Sequence, residues 1–140
     1  MSKQTKGILQ ALCLVMLAFF LGTLIPKKAT EVESSKNEEI ELVDYNYVKD
    51  AALSNSIRII DARTAIAFNR GNIQNSVNIP LGTKKSKLLK HITNSPTIIY
   101  CVNISCSDST KLAEKMAELG QTNIKIYKEG WEEWNLIENL

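Results

Sequence analysis

Histidine is nearly absent from this sequence: His91 is its only imidazole among 140 residues. This scarcity excludes a histidine-rich metal site, and it removes most Ser/His and Cys/His mechanisms unless His91 itself lies in the site. The chain has three cysteines, which cannot all pair with one another, so a disulfide framework is not expected. We expect neither a bound metal ion nor a cofactor.

A strong charge of one sign is also missing, because the formal net charge is only +2. A value this close to zero does not indicate a nucleic-acid partner, which would require a clearly basic surface. The length of the chain suggests one folded domain.

The longest apolar stretch, ILQALCLVMLAFFLGTLI at 8–25, contains no charge. As a helix it would be about 27 Å long, close to the thickness of a bilayer hydrocarbon core. A secretory signal peptide has the same outline, but the only candidate cleavage site, which ends at Ala29, has Lys27 where a small residue is needed. We therefore favour an uncleaved transmembrane anchor over 1–28, with a removed signal peptide as the alternative.

The orientation of this anchor is poorly determined by its flanking charges, because two lysines precede the apolar stretch and two follow it. The short basic N-terminus suits a signal anchor whose N-terminus stays inside. The following domain would then lie outside the cytoplasm, in the periplasm or its equivalent. Cleavage would instead release a secreted protein.

A polar, acidic segment, ATEVESSKNEE at 29–39, follows and is interpreted as a linker. The folded domain is then predicted over 40–140. Apolar, β-rich runs predict strands at 56–61, 96–101 and 123–127, with weaker candidates at 40–42 and 77–79. Helices are predicted over 44–53, 65–69, 84–91, 108–119 and 131–140. This alternation predicts an α/β fold, an open parallel sheet flanked by helices on both faces.

Cys101 ends the central predicted strand and is followed by a short turn into the helix that starts near Asp108. Amide N–H groups at a helix start have no helical partner, and the helix dipole adds partial positive charge. A thiol placed there is expected to have a lowered pKa, and its thiolate could act as a nucleophile without a histidine. From position alone, a plain buried cysteine is an equal alternative.

Four segments in order carry a resemblance to a known family: IIDAR (59–63), GNIQNSVNIP (71–80), IIYCVNISCSDS (98–109) and YKEGWEEW (127–134). With them, the chain resembles the rhodanese-like domain over almost all of 40–140. In that family the cysteine of the YC segment accepts a sulfane sulfur as a persulfide and passes it to a thiol or another acceptor. Cys101 occupies that position.

The resemblance implies a role for several residues around this cysteine. Cys101 would be the catalytic nucleophile, and Asp61 would support either the loop or Arg63. For Arg63 an internal ion pair is favoured over a contact with substrate. The sulfur anion would be held by the main-chain N–H groups of the active-site loop, which comprises Val102, Asn103, Ile104, Ser105 and Cys106. For Cys106 two roles stay open, a resolving thiol that pairs reversibly with Cys101 and a small residue that fills space.

The sequence also departs from the family pattern. Asn72 stands where the family usually has histidine, Ala67 where glutamate is common, and Glu129 where the first glycine of a Gly-Gly pair is usual. Many rhodanese loops carry arginine at the fifth position after the cysteine, and that position is Cys106 here. The loss of this cation weakens thiosulfate as a donor.

Three functional hypotheses result, and the first two are the stronger. In the first, an anchored sulfurtransferase takes sulfur from a small donor and transfers it through Cys101 to a protein or small-molecule thiol, with the membrane contacted through 8–25. In the second, a non-enzymatic module binds a partner or senses redox state through Cys101 and Cys106. A third hypothesis is a dithiol oxidoreductase, although four residues rather than two separate its cysteines and a thioredoxin-type motif is absent. A cysteine phosphatase is not expected, because Ser107 stands where its phosphate-binding arginine would be.

Overall fold

Five parallel strands form the central sheet of the computed structural model, which describes residues 40–140. The strands are β1 Glu41–Val43, β2 Arg58–Asp61, β3 Ser76–Asn78, β4 Thr97–Tyr100 and β5 Ile124–Tyr127. Their order across the sheet is β1-β5-β4-β2-β3, and every neighbouring pair is parallel. The predicted parallel sheet is therefore confirmed, with strand ends that differ slightly from the sequence-based bounds.

Helices connect the strands, as parallel pairing requires. They are α1 Tyr45–Ser54, α2 Ala65–Arg70, α3 Lys85–Leu88, α4 Asp108–Glu118 and α5 Gly130–Glu138. The helix predicted over 84–91 is divided, because a 3₁₀ turn at Leu89–His91 follows α3. The last helix begins at Gly130 and ends before the predicted 140.

Helices cover both faces of the sheet. Successive strand residues point to opposite sides, so apolar strands place apolar side chains on both faces. On one side, Ile59 and Ile98 pack with residues of α1 and α5. On the other, Ile60 and Ile99 pack with residues of α3 and α4. Burial of each such aliphatic side chain contributes about 1.5–3 kcal/mol. The fold prediction of helices on both faces is thus confirmed.

The helix starts differ in a way that bears on the loop after β4. Asp44 caps α1 by accepting from the Tyr47 amide at 2.9 Å, and Thr64 caps α2 by accepting from the Ala67 amide at 3.3 Å. In contrast, the Ser107 side chain makes no capping hydrogen bond to α4. The loop that begins at Cys101 is thus followed directly by a helix start that the Ser107 side chain does not cap.

The predicted anchor (1–28) and linker (29–39) lie outside the described residues. Within 40–140, no helix combines the length and the apolar character needed to cross a bilayer.

Candidate active site

Two buried side chains, Asp61 and Tyr100, lie at the carboxyl edge of the sheet, where Cys101 starts its loop. They are the last residues of β2 and β4 and are paired in register. The Tyr100 hydroxyl donates a 2.6 Å hydrogen bond to Asp61 Oδ2. Burial, and then the charge of Asp61, raise the pKa of Tyr100 well above its usual value, so the hydroxyl stays protonated. This pair ties the two central strands together where Cys101 leaves the sheet.

Arg63 completes a buried polar cluster with these residues. Its Nε and one terminal nitrogen donate to the Asp61 carboxylate at 2.6–3.1 Å, and the same terminal nitrogen reaches the Gly71 carbonyl at 2.7 Å. The guanidinium also lies 4.8 Å from the centre of the Trp131 ring. Only 7% of Arg63 is exposed. Arg63 is thus bound within the protein as an internal ion pair, where it connects β2 with Gly71 and Trp131.

The start of α5 holds the start of the loop. The amides of Trp131 and Glu132 donate to the carbonyl oxygens of Cys101 and Val102, both at 2.9 Å. These two N–H groups belong to the first turn of a helix, where they have no helical acceptor. Gly130 permits the approach, because its φ is +68° and a Cβ there would lie 2.5 Å from the Cys101 oxygen. The loop carbonyls therefore accept from two of the amides at the start of α5 that have no helical acceptor.

Asn103 organises the rest of the loop. Its Nδ2 donates to Glu132 Oε2 at 2.9 Å, its Oδ1 accepts from the Ser105 amide at 3.1 Å, and its carbonyl accepts from the Cys106 amide at 3.0 Å. The sequence-based expectation is that all the amides of 102–106 face the sulfur. In this state the Ser105 amide donates to the Asn103 side chain, which closes such turns readily, and the Cys106 amide donates to the Asn103 carbonyl.

The two loop cysteines, Cys101 and Cys106, form a disulfide. Their Cα atoms lie 6.2 Å apart across five positions of sequence, so the loop folds back onto its own start. Cys101 is 3% exposed, whereas Ile104 at the tip of the loop is 63% exposed. A bonded sulfur neither titrates nor attacks, so the nucleophile expected at Cys101 exists only after reduction.

Asp108 adds a negative charge beside this disulfide. One of its carboxylate oxygens and the two cysteine sulfurs all lie within 4.8 Å of one another. Because the sulfurs are bonded to each other, neither offers a thiolate to a metal ion in this state. Asp108 lies in the first turn of α4, where its negative charge interacts favourably with the positive end of the helix dipole.

Sequence reasoning missed three contributors to this site: Tyr100, Asp108 and Glu132. The sequence pattern predicts Tyr100 only as a strand residue and Asp108 only as a helix start. The contact between Asn103 and Glu132 joins residues 29 positions apart, so no local pattern could predict it. A signal did exist for the turn at Asn103, since asparagine two residues before a serine amide is typical of an Asx turn.

The chain belongs to the rhodanese-like domain family: residues 44–136 match the family model described as "Rhodanese-like domain". Among curated proteins it is 28% identical over 82 residues to an uncharacterized protein of Buchnera aphidicola subsp. Schizaphis graminum. That match covers 59% of this chain and 55% of the relative, so the chain spans little more than half the relative's length.

Solved structures support the same fold. The BH2092 protein from Bacillus halodurans is 25% identical, with a TM-score of 0.64 over 70% of this chain and 73% of that one. SseA from Escherichia coli, named among the 3-mercaptopyruvate sulfotransferases, is 26% identical with a TM-score of 0.54 over 65% of this chain and 42% of that one. Human single-domain sulfurtransferase TSTD1 is 18% identical, with a TM-score of 0.54 over 68% and 95% respectively, and its likeness concerns the fold alone.

Proposed function

We propose that this domain is a rhodanese-type sulfurtransferase that carries sulfane sulfur as a persulfide on Cys101. The observation that supports it best is the position of Cys101, which directly follows the last residue of the buried central strand β4 and opens the loop into α4. Membership of the rhodanese-like family and the name of one similar structure, a 3-mercaptopyruvate sulfotransferase, point the same way.

The proposed transfer has two steps, and it begins with the reduced protein. The Cys101 thiolate attacks the outer sulfur of a donor R–S–SH, so that Cys101–S–SH forms and RS⁻ leaves. An acceptor thiolate R′S⁻ then attacks the outer sulfur of this persulfide, which gives R′–S–SH and restores the Cys101 thiolate. Neither step needs a histidine, because the attacking groups are already thiolates.

We further propose that the donor is a thiol persulfide rather than thiosulfate. A dianion such as thiosulfate calls for a fixed cation near the nucleophile. The loop arginine of many relatives is replaced by Cys106, and Arg63 is already bound to Asp61 and Gly71. A donor with less charge avoids that requirement.

A redox-sensing module is the second candidate, and the Cys101–Cys106 disulfide is the observation that favours it. In that function the loop would switch between dithiol and disulfide forms and present them to a partner. No transfer of sulfur would occur.

For the location we propose that 8–25 anchors the chain in a membrane, with the domain outside the cytoplasm. The support is the uncharged length of this segment and the short basic N-terminus before it. A reporter enzyme fused after Leu140 and active only on the outer side would agree with this. Recovery of the protein from the medium, without residues 1–28, would favour cleavage.

One experiment tests the transfer. The full-length protein is reduced, incubated with a persulfide donor and then with cyanide, and thiocyanate is measured together with the intact mass. We expect a mass increase of one sulfur atom on Cys101 in a sample taken before cyanide is added, and thiocyanate together with loss of that mass increase afterwards. Cys101→Ser should abolish both signals, whereas Cys13→Ser, which removes a cysteine outside the domain, should retain them. Full transfer by Cys101→Ser would overturn the proposal, and a disulfide formed with neither thiocyanate nor sulfide produced would favour the redox module.

A further inference from the structure

The disulfide shows which atoms of the loop can react with each other. Because Cys106 and Cys101 are bonded, the fold of the loop brings the Cys106 sulfur to the inner sulfur of any group carried on Cys101. The amide of Cys106 donates to the Asn103 carbonyl, and the Asn103 side chain is held by Glu132. The carbonyl of Cys101 is held by the amide of Trp131. Hydrogen bonds therefore hold the backbone at Cys101 and at Cys106, the two ends of the loop that carries the sulfurs.

We propose that Cys106 resolves the Cys101 persulfide and releases its outer sulfur as hydrogen sulfide. This inference rests on the proposed function, since it requires a persulfide on Cys101. It adds a second outcome to sulfur transfer, because the same intermediate either gives its outer sulfur to an acceptor thiol or loses it as sulfide.

The step is a thiol–disulfide exchange within the loop. The Cys106 thiolate attacks Sγ of Cys101, and its lone pair forms the new sulfur–sulfur bond. The bond between Cys101 Sγ and the outer sulfur breaks, and its electron pair leaves with the outer sulfur, which keeps its proton and departs as HS⁻. The sulfane sulfur is reduced by two electrons, and the two cysteine sulfurs are oxidised to the disulfide. An external dithiol must then reduce this disulfide before another cycle.

Burial explains why the two outcomes differ in the atom attacked. The inner sulfur belongs to Cys101, which is 3% exposed, so an external thiol has little access to it. The outer sulfur of a persulfide is one bond further from the backbone, and the proposed transfer requires that acceptors reach it there. Cys106 lies inside the loop and already contacts the inner sulfur. Acceptors from solution therefore take the outer sulfur, whereas Cys106 expels it.

Proximity assists the attack, because groups held in one loop react as though present at very high concentration. The Asp108 carboxylate lies within 4.8 Å of both cysteine sulfurs. Its charge repels the attacking Cys106 thiolate as well as the departing HS⁻ anion, so the step is favoured by proximity rather than by this charge.

The test follows single turnover without oxygen. Full-length Cys13→Ser protein, which retains only the two loop cysteines, is compared with the same protein carrying Cys106→Ser. Both are reduced, loaded with inorganic polysulfide and desalted, and then sulfide release and intact mass are measured over time. We expect the protein with Cys106 to release about one sulfide per loaded Cys101 and to end as the disulfide. The Cys106→Ser protein should keep its persulfide at least about tenfold longer.

The outcomes separate this inference from the proposed function. If neither protein acquires a persulfide, the proposed function fails, and this inference fails with it. If both acquire one but release sulfide at equal rates, the inference is overturned while the proposed function stands. With excess polysulfide present, an added dithiol should reduce the disulfide and allow the protein with Cys106 to release sulfide repeatedly. Its rate of sulfide release should exceed that of Cys106→Ser under the same conditions. Release that stays at the Cys106→Ser rate would also overturn it.

Discussion

The backbone amide of Trp131 donates a 2.9 Å hydrogen bond to the carbonyl oxygen of Cys101, so the start of α5 positions the start of the candidate active-site loop. The side chain of the same tryptophan packs on the guanidinium of Arg63. One residue thus connects the loop to the buried ion pair beneath it. Loss of either contact is therefore expected to alter the position of Cys101.

The first prediction concerns Gly130. Its φ is +68°, and a Cβ at this position would lie 2.5 Å from the Cys101 oxygen, so any side chain is unfavourable there. Gly130→Ala should lower the free energy of unfolding by about 1–3 kcal/mol and slow persulfide formation. Urea unfolding and loading kinetics measure the two effects. Gly82→Ala is the matched control, because a Cβ there meets no atom within 4 Å; equal losses in both variants would contradict the prediction.

The second prediction concerns the buried pair of Arg63 and Asp61. Arg63→Met leaves the Asp61 carboxylate buried without its cation, which should cost about 3–5 kcal/mol of unfolding free energy. The double variant with Asp61→Asn should recover part of this loss, since the uncompensated charge is gone. Urea unfolding of the two single variants and the double variant measures this coupling. A loss no larger than that of Lys111→Met, which removes an exposed cation on α4, would show that the pair contributes little.

Asp108 provides the third prediction. Its carboxylate lies near both cysteine sulfurs and disfavours a second negative charge there. In the reduced protein, Asp108→Asn should therefore speed alkylation of the loop cysteines at neutral pH by roughly two- to tenfold, and less at high salt. Iodoacetamide labelling followed by mass spectrometry measures the rate. Glu114→Gln removes the same charge from an exposed position further along α4 and should have little effect. Equal acceleration by both variants would rule out a local effect.

The fourth prediction concerns the single histidine. Burial, and then the positive charge of Arg58, lower the pKa of His91 below its usual 6.5. The unfolded chain therefore binds more protons than the folded chain between these two values, so stability should fall as the pH drops from about 6.5 towards the folded pKa. NMR titration of the His91 ring measures the pKa. Arg58→Met should raise it partway towards 6.5 because burial remains, and an unchanged value would contradict the assigned contribution of Arg58.

Much of the fold was predictable because it is encoded over short distances. The apolar runs before Asp61 and Cys101 marked β2 and β4, and the stripe that includes Leu112 and Met116 marked α4. Asp44 indicated the start of α1, since capping acts within three residues. The position of Cys101 at the end of a strand was likewise predictable from this local pattern.

The sequence by itself determined the alternation of strands and helices, the parallel sheet and the place of Cys101 in it, because residue periodicity and capping act along the chain. Only the tertiary structure decided that Tyr100 meets Asp61, that α5 donates to the loop and that the Cys106 sulfur bonds to Cys101. The first two contacts join residues far apart in sequence, whose meeting depends on the order of strands and the packing of helices. The third depends on how the loop turns, which the hydrogen bonds of Asn103 determine once Glu132 is beside it.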